Sequence, residues 1–138
     1  MRVVVDTCVW SLFLRRRPQV ISVAERRLMI VMRRLIADGR AIIVGVVRQE
    51  LLSGLRDART VDEMCQYLRF FDDDPPDVAD YEQAARFSNQ CRAKGIATSS
   101  TDMLLCAFAE ARDLELLTTD QDFSRYARHL PIRLYPLE

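Results

Sequence analysis

The chain has 138 residues, of which 49% are hydrophobic and 29% are charged, and its formal net charge is zero. This composition excludes a disordered chain, and the length predicts a single domain over residues 1–138 with a core of its own. No apolar run is long enough to cross a membrane, and no basic stretch leads into an apolar segment at the N-terminus. We therefore expect a cytoplasmic protein with no membrane association.

Four short runs with β propensity alternate with longer helical patterns. In chain order the runs cover residues 3–5, 42–44, 114–117 and 132–134. Most are nearly continuous in apolar character, as expected of parallel strands that are buried on both faces. Strands that alternate with helices predict an α/β fold, a three-layer α/β/α sandwich on a mainly parallel sheet of about four to five strands.

The helical patterns begin at recognisable signals. Ser22 with Glu25, and Thr60 with Glu63, have the spacing of capping boxes, in which each side chain accepts a hydrogen bond from an unpaired amide at a helix start. A third helix is expected to begin at about Ala79, after two consecutive prolines.

Acidic residues recur close to the predicted strands. Asp6 directly follows the first strand, Asp120 follows the third, and Glu50 lies a helical turn or so past the second. Asp102 falls in the first turn of the helix that leads into the third strand. Taken singly, each has an ordinary interpretation as a helix cap, a surface ion-pair partner or an acid that favours a helix N-terminus. Because ligands of open parallel sheets bind beyond the carboxyl ends of the strands, we expect the four acids to converge in one crevice.

Convergence of four carboxylates has a chemical consequence. They repel one another and raise each other's pKa values unless a cation neutralises them. Mg²⁺ prefers oxygen ligands and keeps several of its waters. A site of this kind polarises a phosphoryl oxygen and activates water for attack on phosphorus. The acids therefore predict metal-dependent hydrolysis of a phosphate ester.

The segments that carry these acids resemble the four acidic motifs of PIN-domain ribonucleases. They cover residues 3–7, 48–52, 100–109 and 117–123, and the last, with its Thr-Thr-Asp-Gln-Asp-Phe sequence, is the most specific. The whole chain resembles the VapC-type toxins of bacterial toxin–antitoxin pairs. The resemblance implies a Mg²⁺- or Mn²⁺-dependent endoribonuclease that cuts structured RNA such as tRNA or ribosomal RNA. It also implies a small antitoxin partner that occludes the site, and a homodimer.

The resemblance also implies a role for each matching residue. Asp6, Asp102 and Asp120 would hold the metal, and Glu50 would assist the metal or its water. Three neighbouring residues would support the carboxylates or cap a helix: Asp122, Thr7 and Thr119.

Basic residues are concentrated in the first part of the chain. Residues 1–48 contain ten arginines and three acids, whereas residues 49–138 contain ten basic and seventeen acidic residues. Arg15, Arg16 and Arg17 are consecutive, and the planar guanidinium group matches a phosphate. We interpret these three as an RNA-binding edge of the site; solvated helix faces and coding bias are the alternative for them and for the other arginines.

Two other functions stay open. A phosphoacceptor receiver domain is also a small α/β protein with an acidic pocket, but that family implies a lysine after a late strand, and the only lysine, Lys94, precedes the third predicted strand. A catalytically inactive PIN-like domain that binds RNA or protein is the second alternative. The four cysteines are expected to be small buried residues without disulfides or zinc; they are Cys8, Cys65, Cys91 and Cys106.

Overall fold

The computed structural model describes residues 1–14 and 22–137, so Arg15, Arg16 and Arg17 lie outside the described residues. Within these ranges, four strands and seven helices alternate. The strands are β1 (Val3–Val5), β2 (Ala41–Ile42), β3 (Glu115–Leu117) and β4 (Arg133–Leu134). The helices are α1 (Thr7–Leu14), α2 (Val23–Ala37), α3 (Gly45–Ser53), α4 (Ala58–Leu68), α5 (Val78–Ala93), α6 (Ser100–Ala111) and α7 (Asp122–Ala127).

The strands form one parallel sheet in the order β2-β1-β3-β4, flanked by helices. Val4 of β1 is in register with Ile42 on one side and with Leu116 on the other. The predicted three-layer α/β/α fold is therefore confirmed. The second strand is displaced from its predicted position: it begins at Ala41, and the buried Ile43 that follows it leads towards α3.

The arrangement of the strands creates a crevice at their carboxyl ends. From β1 the chain passes to β2 on one side, and β3 joins the other side of β1, so the strand order reverses there. The Asp6 amide donates a hydrogen bond of 2.9 Å to the Leu117 carbonyl, which extends the pairing of β1 and β3 to their last residues. The residues that follow β1 and β3 therefore enter the same crevice, the usual ligand position in such folds.

Among the helices of the described residues, α6 is the most deeply buried. Every residue from Met103 to Ala109 is buried, as expected of a helix that is apolar on all sides. Arg112, directly after α6, pairs with the buried Asp80 of α5. This packing fixes the N-terminal turn of α6, which contains Asp102. In the described ranges, none of the helices combines the length and hydropathy needed to cross a bilayer.

Two of the three predicted helix starts need correction. The capping box of Ser22 and Glu25 is present at the start of α2. The second predicted box is wrong, because α4 begins at Ala58 and Thr60 lies inside it. The Thr60 hydroxyl donates to Asp57 Oδ2 at 3.1 Å, and the Glu63 carboxylate accepts from Arg59 instead of reaching back to the backbone.

The third helix predicted from the sequence is α5, and it begins at Val78, one residue before the expected start at about Ala79. Asp77 and Asp80 form a capping box at the start of α5: the Asp80 amide donates to Asp77 Oδ1, and the Asp77 amide donates to Asp80 Oδ2, both at 2.9 Å. Aspartate is shorter than the glutamate that usually closes this motif, and for that reason the sequence pattern did not reveal it.

Candidate active site

Asp6 is the most buried of the four predicted acids, with 6% of its surface exposed. It lies between β1 and α1. Its Oδ1 atom accepts a 2.7 Å hydrogen bond from the Thr7 amide, and its Oδ2 atom accepts one of 2.8 Å from the Thr118 hydroxyl. The Cys8 thiol also donates to Oδ2, at 3.4 Å. A buried carboxylate needs such donors because burial disfavours its charge.

Thr118 connects two of the predicted acids. While its hydroxyl donates to Asp6, its Oγ1 atom accepts a 3.0 Å hydrogen bond from the Asp120 amide. One side chain thus fixes the carboxylate beyond β1 relative to the backbone beyond β3. Thr119, which was predicted to support a carboxylate, is exposed and donates instead to Cys8 Sγ at 3.3 Å.

Asp120 lies two residues before α7 and is exposed to solvent. Its Oδ1 atom accepts a 2.9 Å hydrogen bond from the amide of Asp122, which fixes the carboxylate beside the start of the helix. Asp122 is the first residue of α7, and its carboxylate forms an ion pair of 3.4 Å with Arg125. Because this contact lies along one helix, Asp122 is engaged away from Asp120.

Asp102 lies in the first turn of α6, where its amide donates to the capping Ser99 hydroxyl at 3.1 Å. Its Oδ2 atom accepts a 3.1 Å hydrogen bond from the Tyr126 hydroxyl. The pKa of Asp102 is raised from 3.8 to about 6, chiefly because the carboxyl is partly buried. The hydrogen bond from Tyr126 opposes this shift, and the negative charges of Asp6 and Asp120 reinforce it. Three of the four acids therefore share one electrostatic environment.

Glu50 stands apart from these three acids. It lies in α3 and is exposed, and its Oε1 atom accepts a 3.3 Å hydrogen bond from the Thr7 hydroxyl. Thr7 therefore touches Asp6 through its amide and Glu50 through its side chain, which places Glu50 at the edge of the crevice. The supporting role of Thr7 stays a prediction.

Comparison with known proteins places this geometry in a family. Residues 3–129 match the family described as PIN domain. The chain belongs to the PIN-domain family. Among curated proteins, this PIN domain is similar to Ribonuclease VapC6 of Mycobacterium tuberculosis. The two are 35% identical over 94 residues, which cover 64% of this chain and 74% of the relative. The predicted resemblance to PIN-domain and VapC-type proteins is confirmed.

Solved structures support the same fold. FitAcB from Neisseria gonorrhoeae aligns with a TM-score of 0.75 and 19% identity, and the match covers 97% of this chain and 96% of that one. VapBC2 from Rickettsia felis, solved with a DNA fragment from its promoter, aligns with a TM-score of 0.75 and 16% identity over 98% of both chains. At such low identity, the likeness concerns the fold alone.

The acids of this PIN domain offer carboxylate oxygens that a divalent cation could bind. In residues 1–14 and 22–137, no group of three or more His, Cys, Asp or Glu side chains is arranged closely enough to enclose an ion directly. Mg²⁺, however, keeps several waters and takes only one or two carboxylates from a protein. The all-oxygen donor set fits such a hydrated ion, as do the charges of Asp6 and Asp120, which add to the effect of burial in raising the pKa of Asp102.

Two polar contacts of the site were not predicted from the sequence. Thr118 follows β3 directly, so its position beside β1 could have been inferred from the parallel pairing. Tyr126 could not, because its contact with Asp102 depends on how α7 packs. Among the cysteines, Cys91 and Cys106 are buried as predicted, whereas Cys8 and Cys65 are only partly buried, and none forms a disulfide.

A groove of about 640 Å³ adjoins the acids. Cys8 and Thr119 form its end nearest the site, and Leu12 of α1 and Leu28 of α2 contribute apolar walls. A phosphoacceptor reading receives no support, because Lys94 lies exposed at the end of α5, away from any strand end.

Proposed function

We propose that this PIN domain is a metal-dependent endoribonuclease, with Asp6, Asp102, Asp120 and Glu50 as its catalytic acids. The observation that carries the proposal is the crevice at the strand ends, where Thr118 joins Asp6 to the backbone of Asp120. Burial first, and then the charges of these two acids, raise the pKa of Asp102 there. Carboxylates that destabilise one another in this way favour a bound cation. The similarity to a curated ribonuclease supports RNA as the substrate class.

Asp6, Asp102 and Asp120 would hold Mg²⁺ or Mn²⁺, in part through waters that the ion keeps. When bound, such an ion polarises a phosphoryl oxygen and lowers the pKa of a coordinated water. The protein contributes fixed positions for the carboxylates: Thr118 holds Asp6, and the amide of Asp122 holds Asp120. Without these contacts the free carboxylates would rotate away from one another.

Glu50 has a different role. It is exposed at the crevice edge and bound by the Thr7 hydroxyl, and the charges that raise the pKa of Asp102 do not include it. We assign to Glu50 the orientation of the attacking water and the acceptance of its proton. Asp122 and Thr119 have supporting roles outside this step. The Asp122 amide binds the Asp120 carboxylate, and the Thr119 hydroxyl donates to Cys8.

The proposed substrate is structured RNA in the cytoplasm, such as tRNA or ribosomal RNA. A crevice lined by acids repels a phosphate chain unless cations and basic side chains compensate. Arg15, Arg16 and Arg17 directly follow α1, whose first residue contacts both Asp6 and Glu50. We assign the RNA phosphates to these arginines.

A toxin of this type would be controlled by a small antitoxin. VapBC2 from Rickettsia felis is a VapBC protein, and a further VapBC structure, from Salmonella typhimurium, aligns over 98% of this chain with a TM-score of 0.71 at 17% identity. The mainly apolar groove between α1 and α2 could bind an antitoxin segment beside the acids. We also propose a homodimer.

Cleavage of purified RNA tests the nuclease. Protein freed of metal with EDTA should cut tRNA or ribosomal RNA only after Mg²⁺ or Mn²⁺ is added. An Asp102→Asn variant should lose at least about a hundredfold in rate, since it lacks a ligand charge. Stoichiometric RNA binding without cleavage would favour the catalytically inactive alternative.

Growth of bacteria tests the toxin. Induction of this chain without a partner should arrest growth, while the Asp102→Asn variant, at the same level, should not. Normal growth with confirmed wild-type protein in the lysate would contradict the toxin proposal.

A further inference from the structure

Tyr126 makes a contact that core packing alone does not require. Its side chain is almost completely buried, with 2% of the residue exposed, and its hydroxyl donates to Asp102 Oδ2 at 3.1 Å. A phenylalanine would fill the same space without carrying a polar group into the core. Buried tyrosine hydroxyls usually find a hydrogen-bond partner, and here the partner is a carboxylate of the crevice.

The ring of Tyr126 is held firmly. It packs edge to face on Phe123, which is fully buried, with ring centroids 5.3 Å apart and an angle of 70° between the planes. Both rings belong to α7, and the amide of its first residue, Asp122, donates to Asp120 Oδ1. One helix of six residues therefore has one crevice acid at its beginning and the hydroxyl bound to another crevice acid near its end.

The Asp102 side chain has few other restraints. Its backbone is fixed by the hydrogen bond of its amide to Ser99, but this bond does not determine how the carboxylate rotates. Among the described residues, the Tyr126 hydroxyl donates the defined hydrogen bond to Oδ2 of this carboxylate, and the Ser99 hydroxyl, which accepts from the Asp102 amide, makes a smaller favourable contribution to its charged form. Tyr126 thus selects which oxygen is engaged and which is available.

We infer that Tyr126 is a positioning residue that orients the Asp102 carboxylate for metal binding and leaves Oδ1 available to the ion. The inference rests on the proposed function, because Asp102 is taken as a metal ligand. Partners that orient a ligating carboxylate typically change metal affinity by tenfold or more when they are removed. Tyr126 would also couple Asp102 to Asp120 through α7.

The test compares Tyr126→Phe with Tyr67→Phe, which makes the same chemical change in α4 at a ring that packs on Phe71. Mn²⁺ binding to the metal-free proteins is measured by calorimetry. In Tyr126→Phe the dissociation constant should rise about tenfold or more, and in Tyr67→Phe it should stay within about twofold. Saturating Mn²⁺ should return much of the cleavage rate of Tyr126→Phe, because the site is intact once the ion is held.

A second measurement applies if Tyr126→Phe does not fold. Replacing Tyr67, Tyr81 and Tyr135 by Phe leaves Tyr126 as the only tyrosine, whose Cζ carbon can be labelled with ¹³C. Mg²⁺ should shift its resonance, since the ion changes the acceptor strength of Asp102. An unchanged resonance, or equal Mn²⁺ affinity in Tyr126→Phe and wild type, overturns the inference alone. Failure of the wild type to bind Mn²⁺ overturns the proposed metal site as well.

Discussion

Arg112 binds Asp80 through two parallel hydrogen bonds of 3.0 and 2.9 Å, and its guanidinium carbon lies 3.7 Å from the centre of the Phe108 ring. The Asp80 side chain is only 2% exposed. Burial raises the pKa of Asp80, but the hydrogen bonds and charge of Arg112, together with the hydrogen bond from the Asp77 amide, outweigh it, and the net pKa is lowered. This pair joins α5 to α6, and α6 carries Asp102.

Replacing Arg112 by Met should lower the free energy of unfolding by about 3 kcal/mol at neutral pH, because a buried carboxylate loses its counter-charge. Arg59→Met is the matched control: Arg59 pairs with Glu63 on the surface, where the side chains are 87% and 68% exposed. Arg59→Met should lower the free energy of unfolding by about 0.5 kcal/mol or less. Urea unfolding measures both, and equal losses would contradict the assignment.

The same pair makes a prediction about pH. Because the pKa of Asp80 is lowered in the folded state, its contribution to stability is present above its unfolded pKa and is lost as the pH falls through the folded value. The difference in stability between wild type and Arg112→Met should therefore shrink in acid. A constant difference down to pH 2 would show that packing of the Arg112 stem, not charge, accounts for the loss.

Thr118→Val should impair cleavage and leave the fold intact. Valine keeps the shape of threonine but removes the hydroxyl that donates to Asp6 and accepts from the Asp120 amide. We expect the metal-dependent cleavage rate to fall about tenfold or more. The control is Thr119→Val, whose exposed hydroxyl only contacts Cys8. Similar losses in both variants would remove Thr118 from its bridging role.

Asp102→Asn should leave the metal-free protein as stable as the wild type or more stable. The pKa of Asp102 is raised to about 6, so the folded state resists ionisation. The resulting penalty is full above pH 6, fades as the pH falls from 6 to the unfolded pKa of about 4, and is absent below it. Melting temperatures of the metal-free proteins from pH 7 to pH 4 should therefore rise more steeply for wild type than for Asp102→Asn.

Bound Mg²⁺ should reverse the order of stability of wild type and Asp102→Asn. A ligand that binds only the folded state adds stability by mass action, so Mg²⁺ should raise the melting temperature of wild type more than that of Asp102→Asn. If Asp102 only stabilises α6 through its charge near the positive end of the helix dipole, its replacement should instead lower the free energy of unfolding by about 0.3–1 kcal/mol. A destabilised Asp102→Asn protein that still cleaves RNA would contradict the proposed role of Asp102 in the site.

Replacing Arg15, Arg16 and Arg17 together by Gln should weaken RNA binding and reduce its salt dependence. Each phosphate contact that is lost lowers the slope of log affinity against log salt by about 0.9 on duplex and about 0.7 on single strands. The matched control replaces three exposed arginines of α2 and so removes the same charge; they are Arg26, Arg33 and Arg34. Equal slopes in the two triple variants would assign the effect to net charge alone.

Much of the fold follows from periodicity and strand ends. The valine run of β1 and the apolar residues of β3 are recognisable because parallel strands buried on both faces are continuously apolar. Asp6 lies directly after β1, so its place in the crevice follows from the sheet. Asp102 falls in the first turn of α6, as predicted.

Packing between elements is less accessible to such reasoning. The capping box at Asp77 and Asp80 uses a residue pair outside the common pattern, and Asp80 is also the partner of Arg112, 32 residues away. The choice of Thr119 instead of Thr118 shows a related difficulty. Neighbouring residues after a strand point in different directions, and composition does not reveal which hydroxyl faces the carboxylate.

The pairing of β1 with β3 has a consequence for synthesis on the ribosome. β1 is made first, but its neighbour β3 ends only at Leu117, so this half of the sheet closes late in translation. Contacts so distant in sequence form slowly because a long loop must be closed. Asp6 acquires its partner Thr118 at that stage and not before. A nascent or truncated chain that lacks β3 therefore has no assembled crevice, and under the proposed function a cell producing such fragments should be spared cleavage of its RNA.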